Sequence, residues 1–459
     1  MEPDARRRIR RALADAGRRI AVLDDDPTGS QTVHGVEVVT GFELDELAAG
    51  LSEAGSTCFI LTNTRSLAAA EAVELTTRTG RMLVELAARL EAPIDVVSRS
   101  DSTLRGHLIA EVHALDAVRR EATGRGFDGV LLAPAYFEAG RFTAGDVHWA
   151  RVGAEVLPVG ETEFAHDATF GYAASDLRDF IAEQSGGTIG PGEVTSIGLD
   201  DIRLGGPARV AEVLGGVTGG GFVVVNAVAY ADLEVVALGL LEVEAAGRSF
   251  LCRTGPSLVQ VLAGLDPRDP LGASDLWADG RPGGHGLVVV GSHVGLTSRQ
   301  VAVARDRGGL ATVELDVAAV ADPARRHGHL AEATRLVAAA LEGSDVLLVT
   351  SRELRRGRDP AESLEISRRV SAAVTEVVHG ALAARPAWVV AKGGITSHDV
   401  AVRGLGIRRA TVLGQLFPGM VSVFRPITAA PEVVGIPYVV FAGNVGDETT
   451  LASVIDRFR

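Results

Sequence analysis

Lysine is almost missing from this chain: of 45 basic residues one, Lys392, is a lysine and the rest are arginines. Guanidinium is a planar fork and ammonium a compact, rotatable point charge. The single amine retained in Trp388–Ser397 is therefore a candidate for chemistry that arginine performs badly. Cysteine is scarce too. Cys58 and Cys252 are the two present, with no Cys-x-x-Cys spacing, which excludes a disulfide framework and a zinc knuckle and leaves two small buried side chains. Positive charge is in deficit: 59 acidic residues give a formal charge of −14, which argues against nucleic-acid partners and anionic membranes. An anionic ligand must then be met by local arginine clusters or backbone amides. No apolar run approaches a membrane span, and Met1-Glu2-Pro3-Asp4 followed by Arg6-Arg7-Arg8 lacks the apolar core of a signal peptide. A cytoplasmic protein is expected. Neither G-x-x-x-x-G-K-[ST] nor G-x-G-x-x-G occurs, so a Walker A loop and a dinucleotide fingerprint are excluded by pattern. His34, His107, His148, His166, His293 and His398 are scattered, and the pair His327 and His329 has no third ligand nearby, so no metal site is assigned.

What is present is an α/β pattern. At 459 residues the chain exceeds one hydrophobic core, and two domains are expected. Short apolar runs (Arg19–Leu23, Cys58–Thr62, Ile94–Ser98, Gly129–Ala133, Phe222–Asn226, Leu287–Val290, Val346–Thr350, Trp388–Ala391 and Tyr438–Phe441) alternate with amphipathic segments of helical length. Those segments include Ala68–Leu90, Leu104–Glu121, Ala231–Ala246 and Ala361–Ala384. This is the signature of mainly parallel sheets flanked by helices. The aperiodic stretch 265–285, rich in Pro, Gly and Asp, separates domains at 1–264 and 286–459.

Polar motifs follow the strands in both halves, at the edge where open α/β sheets bind ligands, and an active site in an interdomain cleft is expected. Asp24-Asp25-Asp26 ends the first run; crowded carboxylates raise at least one pKa and suit a cation or a hydroxyl proton. Arg65, Arg99 and Arg105, with Ser100, Asp101 and Ser102, describe a pocket for a small hydroxylated acid. Asp24-x-Asp26-x-Thr28 also fits the nucleophile motif of haloacid-dehalogenase-like phosphatases, with Asp24 as phosphoryl acceptor, although the lysine and acidic pair those enzymes use later are not suitably placed. A non-catalytic sugar-acid sensor is a third reading. In the second half Lys392, Gly393, Gly394, Gly414, Gly419, Gly443 and Asn444 could wrap a nucleotide's phosphates without a named loop.

Leu23–Gly29, Leu61–Ser66, Ser98–His107, Lys392–Ser397 and Phe441–Asn444 together resemble the four-carbon acid sugar kinases, motif by motif and in order. The resemblance implies a sugar-acid-binding N-terminal domain, an ATP-binding C-terminal domain, and phosphorylation of the terminal hydroxyl of threonate, erythronate or oxo-tetronate. It implies substrate contacts at Asp25 or Asp26, Arg65 and Arg99–Ser102, and nucleotide contacts at Ser257 and at the loops after Lys392 and around Gly414. Family members carry Lys-x-Asp-Ser where this chain has Arg99-Ser100-Asp101-Ser102. The expected chemistry has Arg65 and Arg99 holding the acid's carboxylate, Asp25 or Asp26 taking the hydroxyl proton, Mg²⁺ bridging ATP phosphates and Lys392 stabilising the transferred group. Small-molecule ligands and a possible homo-oligomer complete the expectation.

Overall fold

The computed structural model describes residues 2, 4–26, 29–277, 280, 283–291, 295–351, 360–443 and 445–459. Expectations that fall on Thr28, His293 and Asn444 lie outside the described residues. The chain divides into two compact units, Met1–Pro267 and Arg268–Arg459, a boundary inside the aperiodic 265–285 stretch.

Unit 1 carries the strands β1 (Arg19–Asp24), β2 (Glu37–Val39), β3 (Thr57–Leu61), β4 (Ile94–Arg99) and β5 (Gly129–Ala133). A small antiparallel sheet of β6 (Arg141–Ala144), β7 (Val147–Val152) and β8 (Glu155–Pro158) follows, then β9 (Thr195–Ile197), β10 (Gly221–Val225) and β11 (Phe250–Thr254). The main sheet runs β2-β3-β1-β4-β11-β5-β10-β9 and is parallel throughout. Its strands are apolar because both faces are covered: five of the six residues of β1 are buried. From β1 the chain crosses to β3 on one side and then to β4 on the other. The carboxyl end of β1 thus lies at a topological switch point, where the outgoing loops part and leave a crevice. Leu23, Ile60, Leu83, Leu115, Leu132 and Phe180 pack the core beneath it.

Unit 2 carries β12 (Leu287–Val290), β13 (Leu310–Leu315), β14 (Asp345–Thr350), β15 (Val389–Lys392), β16 (Arg409–Phe417), β17 (Met420–Thr428) and β18 (Tyr438–Phe441). The order is β13-β14-β12-β15-β18-β17-β16, parallel from β13 to β18 and antiparallel across β17 and β16. Its switch point falls between β12 and β15, which places Lys392 and Gly393 at a crevice of the same kind. Trp388 stacks on Phe458 of the C-terminal helix, ring centroids 5.2 Å apart, at the centre of this core.

The nine anticipated strands are present, each within one residue at either end. Two of the anticipated helices differ: the segment expected to reach Ala384 ends at Gly380, and the segment expected from Leu104 begins at Leu108. Leu104 has φ +67 and Gly106 φ +128, so residues between β4 and the helix form a loop instead of its first turn. Among the described residues no helix is long and apolar enough to cross a membrane.

Candidate functional site

The unit 1 site grows from the ends of β1 and β4. Parallel pairing sets Asp24 beside Arg99, and Arg99 Nη1 donates to Asp24 Oδ1 at 2.9 Å and lies 3.6 Å from Asp25 Oδ1. Backbone bonds fix the frame: Asp25 N–H to Arg99 O (3.3 Å), Thr62 N–H to Asp24 O (3.0 Å) and Arg65 N–H to Asp25 O (3.3 Å). Arg65 pairs with Asp26 and approaches Asp101 at 3.5 Å. Asp101 also accepts from Arg105 Nε (2.7 Å) and from the Thr103 hydroxyl. Ser100 N–H bonds Thr254 O at 2.8 Å, which ties the loop to β11.

The carboxylates differ sharply in environment. Burial pushes Asp24 up to about 7, against the pull of Arg99. Burial likewise raises Asp25, opposed by Arg65, Arg99 and Arg253. Burial alone would raise Asp101 as well, yet Arg65, Arg105 and Arg141 outweigh it and hold that carboxyl well below the usual range. Asp25 is 3% exposed, and neither of its carboxylate oxygens has a hydrogen-bond partner among the described residues. Leaving a buried charge-bearing group unsatisfied costs about 1–3 kcal/mol or more, so this carboxyl is the group most in want of a ligand. Gly106 gives it room: a Cβ there would sit 3.1 Å from Asp25 Oδ2.

Three residues that the motifs did not single out complete the cluster. Arg253 on β11 donates from Nη1 to Glu111 Oε2 (2.5 Å) and Ser98 Oγ (2.7 Å), a buried pair under Asp25. Arg141, the first residue of β6, donates from Nη1 to Ser102 Oγ at 2.7 Å and lies over Phe164, 5.1 Å from the ring centroid. It makes no ion pair among the described residues, and its buried Nε has no hydrogen-bond partner. His148 on β7 meets Ser102 O at 2.8 Å from Nε2 and Thr143 Oγ1 at 3.0 Å from Nδ1; burial pulls it down to about 4, so it is a neutral brace for the Ser102 loop. Sequence spacing gave no clue to these contacts, because each crosses from a separate strand or helix.

In unit 2 Lys392 is fully buried at the end of β15. Its ammonium donates to Ala442 O (2.8 Å) and Gly443 O (3.4 Å) and lies 3.6 Å from the centroid of the Phe441 ring. Burial lowers Lys392 to about 7. Gly393 takes φ +115, ψ 137, a conformation that side chains resist, while its N–H bonds Phe441 O at 2.7 Å. The amides of Gly394, Ile395 and Thr396 precede the first N–H paired four residues back, Ser397 to Gly393 O at 2.8 Å. Gly291 approaches that short helix so closely that a Cβ would meet Thr396 Oγ1 at 2.5 Å. Gly414 (φ +141) sits at an irregularity in the β16–β17 pairing, and Gly419 (φ +65) turns the hairpin with its N–H on Gln415 Oε1 (2.5 Å). Gly443 also accepts from Thr297 Oγ1 at 2.8 Å. Ser257 belongs to unit 1, where its buried hydroxyl accepts from Phe137 N–H at 3.1 Å. Lys392 and Gly443 are in contact and Gly393 adjoins them, whereas Ser257, Gly414 and Gly419 have local partners of their own. Among the described residues no group of three or more His, Cys, Asp or Glu is arranged to hold a metal ion.

Comparison with known proteins identifies both units. A model described as a sugar-binding N-terminal domain matches residues 20–262, and one described as a nucleotide-binding C-terminal domain matches residues 287–451. The chain belongs to the four-carbon acid sugar kinase family. Its sugar-binding domain is the unit with the aspartate and arginine cluster, and its nucleotide-binding domain the unit with Lys392. Two solved structures have the same fold. One is a Salmonella typhimurium LT2 protein described as a candidate tRNA synthase, with TM-score 0.71 and 18% identity over 96% of this chain and 100% of that one. The other is a Haemophilus influenzae protein of a domain family of unknown function, with TM-score 0.64 and 18% identity over 95% and 99%. No curated protein matches the sequence significantly.

Proposed function

We propose that this family member is an ATP-dependent kinase that phosphorylates the terminal hydroxyl of a four-carbon sugar acid of the threonate, erythronate or oxo-tetronate type. The observation that carries the reading is Asp25, a buried carboxyl with raised proton affinity and no hydrogen-bond partner among the described residues, ringed by arginines at the switch point of a sugar-binding domain. Asp24 is engaged by Arg99 and Asp26 by Arg65, so Asp25 is the base that accepts the hydroxyl proton. Arg141 supports a refinement of the anchor. Arg65 and Arg99 already pair with carboxylates of the protein, whereas the buried Arg141 helps to hold Asp101 low but has no carboxylate within ion-pair distance among the described residues, so it holds the acid's carboxylate with Ser102 beside it. Phosphoryl transfer depends on positioning and charge neutralisation. MgATP, bound by the nucleotide-binding domain, supplies the phosphoryl group and the neutralising cation. Lys392 holds the Phe441–Gly443 loop against the Gly393 turn, and beyond the two carbonyls it meets among the described residues its amine can serve a phosphate oxygen.

The phosphatase alternative loses its nucleophile: Asp24 is 0% exposed, its Oδ1 is bound to Arg99, and a Cβ on Gly29 would lie 2.0 Å from its other oxygen. The tRNA-linked description of the Salmonella protein finds no support in a chain with formal charge −14. The sensor reading is separated by one measurement: ADP release from MgATP in the presence of each isomer of threonate, erythronate and oxo-tetronate. The kinase reading expects acid-dependent ADP with at least one of them; no ADP with any would leave the sensor standing.

A further inference from the structure

At the amino edge of the unit 1 sheet, opposite the aspartates, two neighbouring strands come apart. β4 pairs with β1 from Ile94 onward and β11 pairs with β5 from Phe250 onward, yet β4 and β11 pair with each other only from Val97 and Cys252. Their first residues splay, and a cavity of about 690 Å³ opens at the gap. Leu83, Val84, Val118, Phe127, Leu241 and Phe250 give it apolar walls. Cavities of about 300–1,000 Å³ with such walls and a few placed polar groups are the usual form of small-molecule sites.

The polar groups here are few and charged. Arg18 bridges two carboxylates, donating from Nε to Asp95 (2.7 Å) and from Nη2 to Glu244 (2.5 Å). Two carboxylates on one guanidinium leave no positive charge over. Arg119 is different. It lines the cavity half-buried, with its guanidinium 5.1 Å above the Phe127 ring, and makes no ion pair among the described residues; its hydrogen bond goes to Gly126 O at 3.4 Å. Arg248 lines the same cavity; it donates to Val217 O and pairs with Asp128 at 3.7 Å, and its buried Nε has no hydrogen-bond partner among the described residues. Arg119, half-desolvated and without a counter-ion within ion-pair distance among the described residues, is the group that an anion would complete. The walls do not suit a four-carbon hydroxy acid, whose hydroxyls would lose water against Leu83 and Phe127 with no partner in return.

We propose that this cavity is a second ligand site, which takes a small amphipathic anion: a flat apolar body between the helices Ala69–Arg89 and Leu108–Thr123, with its acid group on Arg119. The site stands independently of the kinase reading, since it shares no residue with the aspartate cluster or with Lys392.

The test uses the full chain and 8-anilino-1-naphthalenesulfonate, an aromatic sulfonate of suitable size and charge. Its fluorescence should saturate at one probe per chain, and MgATP should not displace it. Arg119→Gln should weaken binding about tenfold, as expected for loss of one charge-assisted contact. Val84→Trp, on a wall residue that is 41% exposed, should fill the cavity and abolish binding. The uncharged N-phenyl-1-naphthylamine should bind at least about tenfold more weakly than the sulfonate. Circular dichroism of both variants checks that they fold, and Arg119→Gln decides alone if Val84→Trp does not. Absence of saturable binding, displacement by MgATP, unchanged affinity in Arg119→Gln, or equal affinity for the uncharged probe would each overturn the proposal.

Discussion

Replacing Asp25 by Asn changes one atom of a buried side chain and removes its capacity to accept a proton. A base positioned on the reacting hydroxyl contributes about 10²–10⁴ in rate, so acid-dependent ADP release should fall by that factor. ATP affinity, measured by calorimetry, should be unchanged, because Asp25 lies in the sugar-binding domain and Lys392 in the other. Stability should move the opposite way from activity. Burial raises the Asp25 carboxyl in the folded chain, and a carboxyl with a folded pKa above its unfolded value costs stability as pH rises through that interval. Asp24 behaves alike, with the interval running from 3.8 to about 7. At pH 8 the Asn variant should therefore melt no lower than the wild type, and the difference should shrink toward pH 4, read as Tm at both pH values. The wild-type kcat/KM should rise with pH along a limb above the ordinary carboxylate range, since only the unprotonated carboxyl serves. A loss below tenfold in turnover, or a loss of ATP binding, would refute the assignment of Asp25 as base.

Arg141→Lys keeps the charge but removes the fork that faces Ser102; KM for the acid should rise by about tenfold or more with a smaller change in kcat, and an unchanged KM would return the anchor to Arg65 or Arg99. Gly106→Ala places a Cβ 3.1 Å from Asp25 Oδ2 in backbone at φ +128, so it should lower turnover and cost about 1 kcal/mol or more, measured by urea denaturation. Lys392→Met keeps the volume and removes the buried amine. The wild-type amine is lowered from 10.5 to about 7, so the unfolded chain binds the extra proton and stability should climb between pH 7 and pH 10.5. The Met variant should lack that climb in Tm and should lose about a hundredfold in turnover with MgATP; near wild-type turnover would leave Lys392 a purely structural brace.

Buried parallel strands were legible because both faces are covered, which makes the apolar run continuous and its ends sharp. The strands that escaped notice lack that mark for identifiable reasons. β11 carries Arg253, whose charge is matched by Glu111 from a helix more than a hundred residues earlier, so a local reading sees an interrupted run. β16 alternates buried and half-buried positions along its whole length and breaks register near Gly414, as an antiparallel strand with one open face does. The N-terminal helix Ala5–Asp15 hides behind its arginines, although Ala5, Ile9 and Leu13 bury one stripe at four-residue spacing. The site divides along the same line. Asp24, Asp25, Arg65 and Arg99 could be placed together because each ends a strand of one parallel sheet, where topology alone brings loop starts to one edge. Arg141 and His148 arrive from a separate antiparallel sheet, and which guanidinium lacks a carboxylate is a property of the assembled cluster that no spacing encodes. Lys392 shows the limit most clearly. Rarity drew attention to it, but its burial against Phe441 and two carbonyls makes the amine first a strut for the Phe441–Gly443 loop. Any role on phosphate must then be played from a fully desolvated position, where one remaining N–H counts for more than an exposed charge would.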